Sequence, residues 1–468
     1  MREEWQEFLT WELTTHLGLW VGALIMMILL SVMLRQKRNP SASAAWLVFM
    51  LAVPYIGVPL YLAIGARKLR ALVRQKRRLF EDRITHAPAE QPIQRLLSRL
   101  GVPDPAAATS FRLHASASQA RAALWRIVDQ ARTSVDIEIF ILADDETGRQ
   151  LLDRLTILAR EGVRVRLLLD GVGSFLLPRI RLRPLLEAGV QVAWFVPVLH
   201  VPLRGRSTLR NHRKLVVVDG RKVWSGGRNL ADDYLGDEDR THWHDLSFDL
   251  EGAVAADYQG VFEADWSFAS GKAAAPAEEL LDEVGSQAPE HRVQVIPSGP
   301  DMSEDVVEHA LAGLVRGAQR RVVLVTPYYV PSESLQQLLC VTVRSGVEVD
   351  LLLPERSNHR MADYVRNRFL RELHKAGVRI WTLPRDMLHA KATIVDDRYA
   401  LVGSANVDLR SLYLNFELMT LLYTAEDVSA VQQLADTYLD RSEAWRPPAR
   451  SALRETFEGL AMLLAFQL

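Results

Sequence analysis

One eighteen-residue pattern occurs twice in the chain with identical spacing. It reads His212-x-Lys214-x4-Asp219-x6-Gly226-x2-Asn229 and again His389-x-Lys391-x4-Asp396-x6-Gly403-x2-Asn406. Five matched positions do not recur by chance, so the chain is read as an internal duplication before anything else is decided. Its surroundings repeat too: Glu161-Gly-Val-Arg-Val-Arg-Leu-Leu-Leu169 returns as Ser345-Gly-Val-Glu-Val-Asp-Leu-Leu-Leu353, and Leu186-Glu-Ala-Gly-Val190 as Leu373-His-Lys-Ala-Gly-Val378. Each is a helix stopped at glycine before an apolar strand, and the β-branched runs Val135–Leu142 and Val322–Val330 open each repeat. Strands alternating with helices predict an α/β fold of two duplicated halves, each a largely parallel, mixed β-sheet flanked by helices, related by a pseudo-twofold axis.

Strand geometry assigns tasks to the motif. Side chains alternate in a strand, so His212 and Lys214 share a face, while Asp219 has opposite parity and precedes Gly220 at a turn. Asp219 and Asp396 complete the catalytic motif, but their expected task is to hold a turn or a neighbouring cation. The next strands end in small residues, where the amides at Gly227 and Ser404 would approach an anion and return Asn229 and Asn406 to the same site. Packing the halves together gives one site with two imidazoles, two ammonium groups and two amides, which suits a phosphodiester. Lysine and asparagine balance the non-bridging oxygens; one histidine attacks phosphorus while the other protonates the leaving oxygen. The catalytic set is thus His212, Lys214, Asp219, His389, Lys391 and Asp396, the phosphate-binding set Asn229, Asn406, Gly227 and Ser404, with no metal and no cofactor required.

The first part of the chain reads as a membrane anchor of two hydrophobic segments, residues 1–66. Leu17 to Leu34 carries no charge and at 1.5 Å per residue is just long enough for a hydrocarbon core of roughly 30 Å. Ala44 to Gly65 is apolar but broken by Pro54, Gly57 and Pro59, which fits a kinked span or a re-entrant hairpin. Arg2 and the seven cations from Arg67 to Arg78 outweigh Arg35, Lys37 and Arg38, which puts the catalytic part on the cytoplasmic side. The basic run 67–78 reads as a solvated helix face or interfacial anchor, and 67–108 as a juxtamembrane segment and linker. Halves are expected at 109–270 and 291–468, joined by a linker at 271–290. Balanced charge, with 56 Lys+Arg against 57 Asp+Glu, gives no reason to expect nucleic acid, and the lone Cys340 excludes an intrachain disulfide.

These motifs resemble those of the phospholipase D superfamily. With Tyr55-Ile-Gly-Val-Pro-Leu-Tyr61, Ser298-Gly-Pro-Asp301, Thr326-Pro-Tyr-Tyr-Val-Pro331 and Val407-Asp-Leu-Arg-Ser-Leu-Tyr-Leu-Asn-Phe-Glu417, the chain is similar to the membrane-anchored bacterial cardiolipin synthases. The resemblance implies a phosphatidyltransferase of the bacterial inner membrane that converts two phosphatidylglycerol molecules into cardiolipin and glycerol through a phosphatidyl-histidine. It implies that Asp245 and Glu417 orient the histidines, that His212 attacks, and that His389 serves as acid and then base. The implied partners are phosphatidylglycerol and other phospholipids and the membrane, without nucleic acid; a homo-oligomer is compatible with all of this. A hydrolase releasing phosphatidic acid is the alternative, followed by another phosphodiesterase, while a non-catalytic scaffold would predict an eroded motif. Bland readings cover the rest: Asp144–Glu146 as a helix cap, His242 and His244 as no metal site, Trp194–Arg210 as a surface loop, Leu453–Leu468 as a core-docked helix, and Tyr328 and Tyr329 as core or substrate contacts.

Overall fold

A computed structural model describes residues 40–55, 57–58, 91–196, 209–237, 243–272 and 291–448, together with Gly22, Met27, Ser31, Lys76, Leu79, Phe80 and Glu458. The stretch Leu17–Leu34, most of the basic run 67–78, the linker 273–290, the loop 197–208 and all of 453–468 but Glu458 lie outside the described residues. The chain divides into two units, Met1–Arg67 and Lys68–Leu468.

In the first unit the helix Pro40–Ala52 has 13 residues, about 20 Å of rise, and Pro54 follows it. Among the described residues no helix is long and apolar enough to cross a membrane.

The second unit holds two sheets built to one plan. The first takes β2 (Ser110–His114), β3 (Ser134–Ile139), β4 (Arg164–Asp170), β5 (Gln191–Phe195), β6 (Leu215–Val218), β7 (Lys222–Gly226) and β8 (Ser247–Glu251) in the order β2-β8-β7-β6-β3-β4-β5. The second takes β1 (Ala106–Ala108), β9 (His291–Ser298), β10 (Arg321–Val325), β12 (Glu348–Pro354), β13 (Arg379–Leu383), β14 (Ala392–Val395), β15 (Tyr399–Gly403), β17 (Glu417–Leu422) and β18 (Glu443–Ala444) in the order β1-β9-β17-β15-β14-β10-β12-β13-β18. With β1 and β18 removed from its edges, the second order repeats the first strand for strand. A separate parallel pair joins β11 (Tyr329–Val330) to β16 (Val407–Asp408).

The expectation of largely parallel sheets is corrected. Within these two sheets, among the described residues, only the β3-β4-β5 and β10-β12-β13 steps are parallel. Each motif instead folds as an antiparallel hairpin, β6–β7 or β14–β15. Asp219 and Gly220 turn the first in the left-handed region (φ 52° and 64°), Asp396 and Asp397 the second (φ 53° and 54°). Glycine stops at φ 91° (Gly162) and φ 94° (Gly346) end the helices Glu146–Arg160 and Glu333–Arg344 before the parallel strands, as the repeated sequences predict.

One apolar core, with Leu215, Val217, Phe248, Val295, Leu401 and Leu421 at 1% exposure or less, draws on both sheets. A second, around Trp224, Leu151 and Leu167, fills the outer face of the first half. The halves also join reciprocally. Asn211, just before His212, bridges Phe416, just before Glu417; His244, just before Asp245, bridges Leu388, just before His389. Such mutual contacts characterise an isologous interface, here within one chain.

Candidate active site

Those two bridges bring the motifs together. The His212 amide donates to the Phe416 carbonyl (2.8 Å), and the His389 amide donates to the His244 carbonyl (2.7 Å). In consequence each histidine meets the carboxylate of the other half. His212 Nδ1 lies 3.0 Å from Glu417 Oε2, and His389 Nδ1 lies 2.6 Å from Asp245 Oδ2. A carboxylate at Nδ1 fixes the proton there and leaves Nε2 as the reactive nitrogen. Lys214 Nζ donates to the His212 carbonyl (2.7 Å), and Lys391 makes the same turn back to the His389 carbonyl while standing 2.6 Å from His389 Nδ1 and 3.7 Å from Asp245.

Aromatic rings fix the imidazoles. The Phe140 edge meets His212 (centroids 5.0 Å), and Tyr234 and Trp243 pack on His389 at 5.2 and 5.1 Å. The tyrosine pair divides: Tyr328 stands 6.4 Å edge-on from His389, whereas Tyr329 is core, donating to Gln336 at 2.9 Å.

Burial sets the electrostatics. Desolvation, then the nearby Lys391, pushes His389 down to about 3, and desolvation also lowers His212. Lys214 is brought down to about 7 and Lys391 to about 8, chiefly by desolvation. Asp245 and Glu417 are held below the ordinary carboxylate range although burial opposes it, because Lys391 and His389 face the first and His212 and Lys214 the second. By themselves these surroundings favour neutral imidazoles and ionised carboxylates, and an anion beside the lysines would favour their charged form.

Asp219 and Asp396 keep the turn-holding task read for them, and the expectation for Gly227 and Ser404 changes. Asp219 and Asp396, grouped with the catalytic residues, point away from the histidines: Asp219 accepts the amides of Arg132, Thr133 and Ser134, and Asp396 those of Gln319, Arg320 and Arg321. The turn-holding task read from their parity is the one observed. Gly227 and Ser404 offer no amide to an anion, since sheet pairing commits both, to the carbonyls of Leu246 and Leu418 (each 3.0 Å). They serve the carboxylates instead. A Cβ at Gly227 would sit 2.2 Å from Asp245 Oδ1, and Ser404 Oγ donates to Glu417 Oε2 at 2.5 Å. Asn229 and Asn406 are likewise engaged. The Asn229 carbonyl accepts from Ile141 (3.1 Å) and its amide bonds Tyr234; the Asn406 amide bonds Asp408.

Other readings also find their places. Asp145 caps the helix Glu146–Arg160 through the Gly148 amide, and His244 pairs with Asp386 at 3.0 Å. His242 and most of Trp194–Arg210 lie outside the described residues. Buried Glu458, inside Leu453–Leu468, pairs with Arg371.

Sequence reasoning missed several residues. Asn415, two places before Glu417 and therefore on its face of the chain, donates to Glu417 Oε1 (3.1 Å). Arg213, between His212 and Lys214, points by parity to the opposite side. There it donates to the Glu417 and Ser298 carbonyls and to Asp265 and Asp301. The signal for both was strand alternation; the aromatic rings gave none.

Residues 124–266 and 311–439 match the family described as cardiolipin synthase, PLD-like domain, and residues 18–65 match one described as phospholipase D-nuclease N-terminal. A cardiolipin synthase from Geobacillus sp. (strain WCH70) is 31% identical over 425 residues, 87% of this chain and 84% of that protein. Cardiolipin synthase 2 of Bacillus anthracis is 31% identical over 429 residues, 88% and 84% of the two. Among solved structures, phosphatidylserine synthase of Haemophilus influenzae Rd KW20 superposes with a TM-score of 0.63 at 17% identity, over 81% of this chain and all of that one. That last likeness concerns the fold.

Proposed function

The chain belongs to the cardiolipin synthase family with phospholipase D-like domains, and from that membership we propose that it converts two phosphatidylglycerol molecules into cardiolipin and glycerol at the paired histidines. The enzyme is a phosphatidyltransferase. The observation that carries the site assignment is the reciprocal pair of carboxylate–imidazole contacts, which leaves two Nε2 atoms to act on one phosphodiester.

His212 Nε2 attacks phosphorus, and the bond to the glycerol oxygen breaks as His389 Nε2 supplies its proton. A phosphatidyl-His212 remains. The hydroxyl of a second phosphatidylglycerol then gives its proton to His389 and attacks phosphorus, which forms cardiolipin and frees His212. Desolvation and Lys391 lower His389, so its acid role depends on the substrate: a phosphodiester anion beside it favours the imidazolium and counters that lowering. The same anion holds Lys214 and Lys391 charged, and both, with the side-chain amides of Asn229 and Asn406, balance the non-bridging oxygens.

The halves form a pseudo-twofold pair at 109–270 and 291–468, joined at 271–290. Residues 1–66 form the anchor, followed by the linker 67–108, and they set the enzyme in the bacterial inner membrane with the catalytic unit on the cytoplasmic side. The hydrophobicity of Leu17–Leu34 and the distribution of Lys and Arg support that reading.

The test gives detergent-solubilised enzyme radiolabelled phosphatidylglycerol and resolves the lipid products. Cardiolipin with free glycerol, unchanged by EDTA and absent from His212→Ala and His389→Ala proteins of normal fold, is expected. Phosphatidic acid alone would make the enzyme a hydrolase, and substantial turnover by either variant would end the two-histidine scheme.

A further inference from the structure

Eight large apolar side chains of the catalytic unit are exposed among the described residues, and five of them fall within one short segment: Val172, Phe175, Leu176, Ile180 and Leu186. Leu176 is 87% exposed and Ile180 66%. Scattered apolar residues on a surface need no explanation, but a concentrated patch marks a surface that meets something apolar. Arg179, Arg181 and Arg183 are exposed in the same stretch beside exposed Ile180, while Leu182 between them is buried. Arg181 pairs with Asp144 (2.9 Å) and Arg183 with Glu187 (2.8 Å) at the surface, where such pairs are weak and exchange with another anion readily. Apolar tips beside arginines are the composition of an element that lies in a lipid interface, with cations at the level of anionic headgroups.

The segment is fastened to the active site. It begins as β4 ends, where Asp170 accepts the amides of Val172 and Gly173 and also the amide of Asn211, next to His212. Ser174 Oγ donates to the Phe140 carbonyl at 2.9 Å and accepts from Leu142 at 3.0 Å, and the Phe140 ring is the one packed edge-on against His212. At Gly173 any Cβ would sit 2.2 Å from the Phe140 carbonyl oxygen, so this close seating requires glycine. The duplication supplies an internal comparison. The connection after β12, in the other half, opens with the polar run Glu355-Arg-Ser-Asn-His359 and continues as the helix Arg360–Ala376, on which Tyr364, 44% exposed, is the one large apolar side chain at the surface. The exposed apolar cluster is therefore no requirement of the fold.

We propose that residues 172–186 are a membrane-docking element that enters the bilayer interface through Phe175, Leu176 and Ile180, binds anionic phospholipid headgroups through its arginines, and holds the His212 side of the site at headgroup depth. The inference rests on the reading of a phospholipid substrate. It adds a contact with the membrane independent of the amino-terminal anchor.

The test uses the full chain reconstituted in phosphatidylglycerol-containing bilayers. A fluorophore is attached at Leu176→Cys, or at Ile157→Cys on the exposed face of the helix Glu146–Arg160, with buried Cys340 changed to Ser in both. Quenching by doxyl-labelled lipids at position 176 and none at 157 is expected. Equal quenching at both positions, or none at 176, would overturn the proposal, as would a spectral shift at 176 that follows protein concentration rather than lipid, which would make the patch a contact between copies. The companion variant Phe175→Ser/Leu176→Ser should lose about tenfold in transfer on bilayer lipid yet keep its rate on a short-chain, monomeric phosphatidylglycerol. Equal loss on both substrates would make the segment part of the reaction site and refute docking. Quenching at 176 in a protein that forms no cardiolipin would leave the docking element standing and remove the proposed reaction.

Discussion

His212 and His389 carry the same bonds but not the same surroundings. His389 is enclosed by Tyr234 and Trp243 and held near Lys391, whereas the one ring contact of His212 among the described residues is Phe140. The proposed division of labour makes His389 the group that must protonate a poor leaving group, glycerol, and a leaving group that departs unaided should remove that need. On a phosphatidyl p-nitrophenyl ester, His389→Ala and Asp245→Asn should therefore recover the release of p-nitrophenol to within about tenfold of the parent, while His212→Ala and Glu417→Gln remain impaired by about 10² or more. Stopped-flow absorbance reads the release directly, and the opposite pattern would exchange the two roles. The histidines and lysines were legible in the sequence because spacing and parity are local, whereas the carboxylates Asp245 and Glu417 came only with the family resemblance. Which carboxylate serves which histidine was not, since the partners stand 205 and 144 residues apart and only the packing of the halves joins them. Gly227 and Ser404 were misread for a related reason: small residues at a strand end signal a close approach without saying whether an anion or a neighbouring carboxylate makes it.

At the scale of elements, the hairpin that carries His212 and Lys214 is held from behind. Arg213 is fully buried and ion-pairs with Asp265 on the helix Ala255–Ser270 (2.5 Å) and with Asp301 after β9 (3.1 Å). Lys76 reaches the same two carboxylates, 2.6 Å from Asp301, with its ammonium 4.4 Å from the Phe416 ring centroid. Desolvation and the charge of Asp265 raise Glu138 well above the ordinary carboxylate range, while Arg213 and Lys76 lower it. The basic run 67–78 was expected at a solvated or interfacial surface; Lys76, at 5% exposure, corrects that at its own position. Composition shows a cation but not the distant pair of carboxylates that makes its burial tolerable. Removing one partner of a buried pair strands the other charge, so Lys76→Met should cost about 3–5 kcal/mol of stability. Adding Asp301→Asn should restore part of that loss. Denaturant unfolding of the detergent-solubilised proteins measures both, and a loss below about 0.5 kcal/mol would mean that the cluster does not hold Lys76 in solution.

For the whole molecule, duplication has a consequence beyond repetition of a motif. Each half contributes a histidine and the carboxylate that orients the other half's histidine, so neither half contains a complete catalytic pair. The shared apolar core, the bridges Asn211–Phe416 and His244–Leu388, and the bond from Tyr258 to Thr420 (2.6 Å) hold the two contributions together within one chain. Separating the halves would expose buried core residues of both, such as Phe248 and Leu421, at about 25 cal/mol for each Å² uncovered, and exchange between chains is correspondingly unfavourable. A mixture of full-length His212→Ala and His389→Ala proteins should then show no more transfer than either alone, even after long incubation in shared micelles. In a molecule whose halves assemble between chains, an intact pair of histidines would form in a fraction of the dimers and activity would return. Product formation by the mixture, measured against each variant separately, decides between these arrangements. Its continued absence would show that a functional site requires both intact motifs on one polypeptide.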